Sequence, residues 1–165
     1  MKKEKLPNQD KITKTPFPAS KKIYVKGEIH DINVAMREIT LEDTQDNFTK
    51  TTSKNQSVTV YDASGPYTDP NKNIDVKKGL EPIRQQWVLG RGDVEELTEI
   101  SSDYGRDRLM NSDIDYLRFE HIKKPLRAKN GKNVTQMHYA RQGIITHEME
   151  YIAIRENQKL QAYKD

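Results

Sequence analysis

The residues best suited to binding a ligand form one basic stretch in the second half of the chain. Between His121 and His147 there are six lysines and arginines and no aspartate or glutamate. Pro125 and the pair Asn130 and Gly131 predict turns there, and backbone amides and lysines in such turns can bind a phosphate group. The Walker spacing of glycines and lysine is absent. The stretch is therefore interpreted either as a solvated basic loop or as a contact surface for another domain or subunit.

The histidines and paired carboxylates indicate chemistry less strongly. The chain has four histidines, which are His30, His121, His138 and His147. None is two, three or four residues from another, which is the usual spacing of metal ligands on one element, so we interpret them as hydrogen-bonded or solvated. Asp113 and Asp115 alternate as they would on a strand, but we expect them to face solvent, which makes a general acid–base role weak.

The absence of cysteine excludes several kinds of chemistry from the chain. Without a thiol, its 165 residues can hold no disulfide, zinc–thiolate site, iron–sulfur cluster or cysteine nucleophile. Hydrophobic residues make up 33% and charged residues 32%, which is polar for an independent globule. This balance predicts disordered stretches, an extended shape or a surface buried against other parts. The net charge of +3 is too small to indicate a partner.

Targeting signals are also missing from the sequence. The charged N-terminus is not followed by an apolar run, so it is not a signal peptide. No stretch reaches the roughly 20 apolar residues that a membrane-spanning helix needs. We therefore expect a cytoplasmic protein without a membrane partner.

The elements that must position these residues are short. Residues 1–15 form a lysine-rich tail that is predicted to be disordered. Alternation of apolar and polar residues predicts strands at 23–25, 32–39 and 58–61. The polar run 42–57 predicts a loop.

Helices are predicted in three places, and the clearest is at the end of the chain. Residues 83–89 form the first, and 93–97 form a short second helix capped by its aspartate. The third runs from about 147 to 163, with Thr146 as its N-cap. Residues 116–119 weakly indicate a strand. The whole pattern predicts an α+β fold, with a small, mainly antiparallel sheet, short helices and a longer C-terminal helix.

Several sequence strings, taken in order, resemble one enzyme family. They are FPASKKIYV (17–25), VAMREI (34–39), VYDASGPYTDP (60–70), RQQW (84–87) and a long C-terminal series (125–157) that contains PLRAK, NVTQMHYARQGIIT and EMEYIAIREN. The chain closely resembles the N-terminal domain of hydroxymethylpyrimidine phosphate synthase, the pyrimidine-forming enzyme of thiamin biosynthesis, from about residue 16 to 158.

The resemblance implies an activity that belongs to a longer polypeptide. The full-length enzyme rearranges aminoimidazole ribotide into hydroxymethylpyrimidine phosphate, using S-adenosylmethionine and a [4Fe–4S] cluster to make a radical. The resemblance further implies a homodimer with a (β/α)8 catalytic barrel, a cysteine motif for the cluster and histidines for zinc, all beyond residue 165. We therefore expect this chain to be an incomplete piece that lacks the barrel, is inactive alone and carries no catalytic, cofactor or metal residue. The family usually has proline where His147 stands, and its loss should modestly weaken the start of the helix.

The resemblance also implies a role for the basic stretch. Residues 16–145 would form an accessory α+β domain, and 146–165 a helix that leads toward the missing barrel. The expected partners are the barrel and a second protomer, and not nucleic acid. A contact loop toward the barrel or the mouth of its active site would consist of Arg127, Lys129, Asn133, Gln136, His138 and Arg141.

Two other functions remain open. One is a stand-alone phosphate- or nucleic-acid-binding module, although aromatic stacking residues are not interleaved with the basic ones. The other is an interaction domain with no role near the chemistry.

Overall fold

The computed structural model describes most of the chain. The described residues are 17–75, 78–118 and 123–161, with side chains described up to Asn157. The predicted N-terminal tail lies outside these ranges.

The chain divides into two compact units. Residues 1–73 and 147–165 group into the first unit, and residues 74–146 group into the second. The first unit is therefore discontinuous in sequence, with the second unit inserted between its two segments.

The first unit is built on a three-stranded antiparallel sheet. Its strands are β1 (Ser20–Lys26), β2 (Asn33–Ile39) and β5 (Val58–Tyr61), in the order β1-β2-β5. The register places Met36 opposite Ile23 on one side and opposite Tyr61 on the other. These strands confirm the three that the sequence predicts.

The C-terminal helix covers one face of this sheet. It runs from His147 to Gln161 and contacts β2 and β5; it is named α4 below. Side chains alternate between the two faces of a strand, so Val34 and Met36 of β2 share a face, and both are fully buried. On β5, the Tyr61 ring lies 5.2 Å from the guanidinium of Arg155 on the helix. The helix prediction is confirmed as far as residue 161, and 162–163 lie outside the described residues.

The polar run 42–57 contains a small hairpin that the sequence did not predict. Its strands are β3 (Thr44–Gln45) and β4 (Thr52–Ser53), which pair antiparallel. The Asp46 carboxylate accepts hydrogen bonds from the backbone amides of Phe48 at 2.7 Å and Thr49 at 3.1 Å. This side chain therefore closes the turn without any apolar packing.

The second unit contains a two-stranded sheet and short helices. Its elements are α1 (Gln85–Gly90), β6 (Val94–Glu96), α2 (Asp103–Met110), a 3-10 helix (Ser112–Leu117), β7 (Leu126–Ala128) and α3 (Gln136–Arg141). The prediction of α1 is confirmed to within two residues. The sheet is antiparallel, with Val94 opposite Ala128 and Glu96 opposite Leu126.

Two predictions for this unit are wrong. Residues 94–96 form a strand and not a helix, because their backbone groups pair with a strand that is distant in sequence. Residues 116–117 end the 3-10 helix and do not form a strand, and residue 119 of that prediction lies outside the described residues. In that 3-10 helix Asp113 and Asp115 are exposed, and Asp115 pairs with Arg118 at 2.6 Å.

The architecture confirms the predicted α+β class. Small antiparallel sheets, short helices and one longer C-terminal helix are present, and no closed barrel occurs in the described parts of the chain.

Candidate functional site

The end of β5 carries a buried carboxylate that organises one face of the first unit. The Asp62 side chain is 2% exposed and lies 3.1 Å from Arg37 and 3.4 Å from Lys22. The backbone amide and hydroxyl of Ser64 both donate hydrogen bonds to it. Burial alone would raise the pKa of Asp62, but the bonds from Ser64 and the two cations hold it below its ordinary value.

A second carboxylate fixes the same segment to β1. The Tyr24 hydroxyl donates to the carboxylate of Asp69, which also accepts from the Asn71 amide at 2.9 Å. Burial and the neighbouring Asp69 raise the pKa of Tyr24 to about 12. Arg37 completes the network with a bond to the Thr68 hydroxyl at 3.2 Å. The string VYDASGPYTDP therefore encodes a loop held by internal polar contacts.

Glu150 of α4 holds the loop between β1 and β2. Its carboxylate accepts hydrogen bonds from three successive backbone amides, those of Glu28 at 2.6 Å, Ile29 at 2.7 Å and His30 at 2.8 Å. Successive amides of this kind form a concave anion-binding nest. The His30 Nδ1 atom also lies 2.7 Å from this carboxylate. Burial alone would raise the pKa of Glu150, and the hydrogen bonds that the carboxylate accepts lower it below its ordinary value.

Gly27 leaves the space that this loop needs. A Cβ atom there would lie 2.5 Å from the His30 carbonyl oxygen and 3.0 Å from the Glu150 carboxylate. The His30 ring also packs on the His147 ring, with 3.9 Å between their centroids. His30 is therefore a hydrogen-bonded histidine, as the sequence predicts.

In the second unit, residues 123–146 of the basic stretch include α3. Thr135 is the N-cap of this helix, and its hydroxyl accepts a bond from the His138 amide at 3.3 Å. The Asn133 side chain in turn accepts from the backbone amide of Thr135 at 3.0 Å and from its hydroxyl at 2.9 Å. The bond to the Thr135 hydroxyl satisfies one of the backbone N–H groups that the start of a helix leaves without an intrahelical partner.

The other end of α3 is closed by a Schellman motif. The Gly143 amide donates to the Ala140 carbonyl at 3.0 Å, and the Ile144 amide donates to the Tyr139 carbonyl at 2.9 Å. Gly143 has a φ of 72°, the left-handed conformation that this motif requires. The sequence YARQGI therefore contains the end of the helix, and Gly143 is the residue that terminates it.

Two side-chain hydrogen bonds connect α3 to other parts of the second unit, one to a distant segment and one to the chain that follows the helix. Tyr139 is 6% exposed, and its hydroxyl donates to the carboxylate of Asp93 just before β6. Burial and the contact with Asp93 raise the pKa of Tyr139. After the helix, the Thr146 hydroxyl donates to the Gln136 side-chain oxygen at 2.6 Å. The chain that leaves α3 therefore returns beside the first turn of the helix.

The structure places the six predicted contact residues in different settings. Arg127 on β7 and Arg141 at the end of α3 are exposed. Lys129 is exposed, and its ammonium group donates to the Gly92 carbonyl at 2.7 Å. Asn133 and Gln136 make the bonds described above, and His138 is half-buried beside Tyr139. Gln136, His138 and Arg141 therefore lie on helix α3 and not in a loop. The role of the six residues as a contact surface stays a prediction.

The residues present do not fit the metal groups that the family resemblance implies. A cluster held by cysteine thiolates has no ligand here, because the chain contains no cysteine. Within residues 17–75, 78–118 and 123–161, no group of three or more histidine, aspartate or glutamate side chains is arranged to hold a metal ion. Over the same residues, no helix combines the length and apolarity that crossing a bilayer requires.

Part of the chain matches a known protein family. Residues 16–95 match the model of the ThiC-associated domain. This segment of the chain is therefore a ThiC-associated domain, consistent with the N-terminal domain of phosphomethylpyrimidine synthase. The match points to a ThiC-related protein of thiamin biosynthesis. It includes the sheet of the first unit and the Asp62 network, and it ends before the basic stretch.

Proposed function

We propose that this chain is the N-terminal accessory part of a phosphomethylpyrimidine synthase and that its role is to support the structure of the enzyme. The observation that carries the proposal is the match of residues 16–95 to the ThiC-associated domain. In the complete enzyme, the catalytic part would convert aminoimidazole ribotide to hydroxymethylpyrimidine phosphate with S-adenosylmethionine, a [4Fe–4S] cluster and zinc, in the cytoplasm.

The polar side chains of the described clusters support a structural role. Backbone amides of nearby loops donate hydrogen bonds to the carboxylates of Asp62, Asp69 and Glu150. A general acid or base must be free to exchange a proton with a substrate, and these carboxylates are already occupied by structural bonds. The isolated chain is accordingly proposed to be inactive, and to contribute by packing on the catalytic barrel or on a second protomer.

Deletion from the complete enzyme tests this role. An enzyme that lacks residues 1–158 is expected to lose native dimerisation, thermal stability or turnover, measured by sedimentation, calorimetry and product formation. Unchanged values for all three would contradict the proposal. Production of deoxyadenosine by the isolated chain, after cluster reconstitution, would contradict its inactivity.

A second candidate function is binding of nucleic acid or phosphate, which the exposed Arg127 and Arg141 favour. Binding of this kind depends strongly on salt, because it releases condensed counterions. A filter-binding assay with single-stranded RNA from about 50 to 200 mM salt tests it, the range over which such affinity falls steeply. Salt-dependent retention is expected if the chain binds nucleic acid, and no retention at the lowest salt concentration excludes nucleic-acid binding.

A further inference from the structure

Asn130 and Gly131 form an exposed turn, as the sequence predicts, just after β7. The Lys132 amide donates to the Lys129 carbonyl at 2.9 Å, and this backbone hydrogen bond closes the turn. Both central residues are exposed. Gly131 has a φ of 72°, and no atom lies within 4 Å of the position that a Cβ would take there. The glycine side of the turn is therefore surrounded by open space.

An asparagine followed by glycine can react within its own backbone. The Gly131 nitrogen forms a bond to the Cγ atom of Asn130, its proton passes to solvent, and the bond from Cγ to Nδ2 breaks. The departing nitrogen takes up a proton and leaves as ammonia. Water then opens the cyclic imide at either of its carbonyl groups, which gives aspartate or isoaspartate. Glycine hinders this attack least, because it has no Cβ.

Neither reacting group is held by a hydrogen bond. The bond that closes the turn uses the amide of Lys132 and not that of Gly131. Within the described parts of the chain, no hydrogen bond holds the Asn130 carboxamide or the Gly131 amide. The attacking amide must lose its proton, and the cationic side chains of Lys129 and Lys132 on either side favour the negative charge that results. Both reacting groups are therefore available.

A neighbouring asparagine lacks these features. The Asn133 side-chain oxygen accepts from the backbone amide of Thr135 at 3.0 Å and from its hydroxyl at 2.9 Å. The residue after Asn133 is the β-branched Val134, which hinders attack by its nitrogen. Asn130 is the only asparagine in the sequence that precedes a glycine. The chemistry and the structure therefore select the same position.

We propose that Asn130 is a site of spontaneous deamidation in the folded protein. The inference does not depend on the accessory role proposed above. Formation of aspartate puts a carboxylate into the stretch from His121 to His147, which contains no acid. Formation of isoaspartate also adds a methylene group to the backbone of the turn that the Lys132 amide closes. The reaction therefore changes both the charge and the backbone of the basic stretch with time.

Mass spectrometry of the full chain tests the choice of site. The protein is incubated at neutral to mildly alkaline pH and digested with chymotrypsin, which cleaves after Leu126 and Tyr139 and leaves both asparagines in one peptide. Conversion to the acid is expected to be at least about tenfold faster at Asn130 than at Asn133, because the glycine nitrogen is unhindered. Equal rates at the two positions would overturn the proposal.

Comparison with the unfolded chain tests whether the native turn permits the reaction. Circular dichroism verifies that one sample is folded and that a second sample, in guanidinium chloride, is not. Because a single backbone hydrogen bond closes the turn, the reaction at Asn130 should be no more than about tenfold slower in the folded sample. A larger difference would show that the fold protects Asn130, which would also overturn the proposal.

Asn130→Gln is the variant that removes the site. Glutamine must close a larger ring, so this variant should lose the acidic form that accumulates with time in isoelectric focusing. Asn47→Gln is the matched control and should keep that form, since Asn47 is exposed in the β3–β4 turn but precedes Phe48, whose amide donates to Asp46 at 2.7 Å. If the acidic form still appeared in Asn130→Gln at the original rate, the modified residue would lie elsewhere and the proposal would fail.

Discussion

At the scale of single residues, carboxylates hold the loops of the first unit. Glu150 closes the loop between β1 and β2, Asp62 organises the segment after β5, and Asp46 closes the β3–β4 turn. Glu150 lies in the first turn of its helix, where the positive end of the helix dipole favours an acidic side chain. Its bonds to residues 28–30 have no local spacing that sequence analysis can detect, since the two segments are distant in the chain.

Replacing Glu150 tests the importance of this contact. Glu150→Gln keeps the size of the side chain but removes its negative charge, and the amide nitrogen cannot accept a backbone hydrogen bond. We expect the free energy of unfolding to fall by about 2 kcal/mol, in the range for hydrogen bonds to charged groups. Urea unfolding at neutral pH provides the measurement.

A surface glutamate on the same helix serves as the control for this change. Glu156 is exposed and bonds only its neighbour Arg155 among the described residues, so Glu156→Gln should change stability little. If the free energy of unfolding fell equally in both variants, the hydrogen bonds between Glu150 and the amides of residues 28–30 would add no specific stability. Amide hydrogen exchange at Ile29 should also accelerate only in Glu150→Gln.

At the scale of elements, local patterns predicted some parts of the fold and not others. Strands β1, β2 and β5 follow from alternation of apolar and polar residues, because one face of their sheet is buried. Strands β6 and β7 have three residues each and pair across a long sequence separation. Their formation depends on tertiary pairing, which overrides the helix signal at Asp93.

Helix α3 was missed although its sequence contains end signals. Its composition is basic and polar, so no apolar stripe identifies it. Thr135 before the helix and Gly143 after it are nevertheless the residue types that begin and end helices. Weighing these two positions together would have predicted the helix, and hence that Gln136 and His138 lie on a helix instead of a loop.

Gly143 provides a prediction about this element. Gly143→Ala should lower the free energy of unfolding by about 1 kcal/mol, because a side chain disfavours the left-handed conformation. No atom lies within 4 Å of the position a Cβ would take, so the loss would arise from the backbone alone. Thermal and urea unfolding measure the effect.

Gly90 is the matched control for this substitution. It is the last residue of α1, its φ is not positive, and a Cβ would also meet no atom within 4 Å. Gly90→Ala is expected to leave stability unchanged or raise it slightly, because alanine favours a helix more than glycine does. If the free energy of unfolding fell by a similar amount in both variants, the left-handed conformation of Gly143 would not be the cause of the loss.

At the scale of the whole molecule, acidic conditions should weaken the fold. The pKa values of Asp62, Asp69 and Glu150 lie below their ordinary values, which are 3.8 for the aspartates and 4.5 for the glutamate. The unfolded chain therefore binds protons more readily than the folded one as the pH falls. The stabilisation from these groups is complete well above the ordinary pKa values and is lost as the pH falls through the folded pKa values.

Urea unfolding from about pH 7 to pH 3 checks this expectation, since that range spans the ordinary carboxyl pKa values. The free energy of unfolding should decrease below about pH 4.5, and the decrease should be smaller in Glu150→Gln, since one of the linked carboxyl groups is gone. If the free energy of unfolding did not change over the acidic half of this range, protonation of these carboxylates would not be coupled to stability.

The sequence predicted the class of the whole molecule better than its organisation. Composition and periodicity led to an α+β chain with a C-terminal helix, and the family strings led to the ThiC resemblance that the match over residues 16–95 confirms. The strand order β1-β2-β5 and the grouping of residues 147–165 with the first unit depend on contacts between distant segments. A single sequence carries no direct signal for such contacts.

The discontinuous first unit has a consequence for synthesis on the ribosome. Strands β1, β2 and β5 emerge early, but α4, which covers Val34 and Met36, emerges only after the whole second unit. Until then the amides at 28–30 lack the carboxylate of Glu150. Nascent chains that stall before residue 147 will therefore expose an apolar sheet face, which chaperones and proteases can recognise as a sign of incomplete translation.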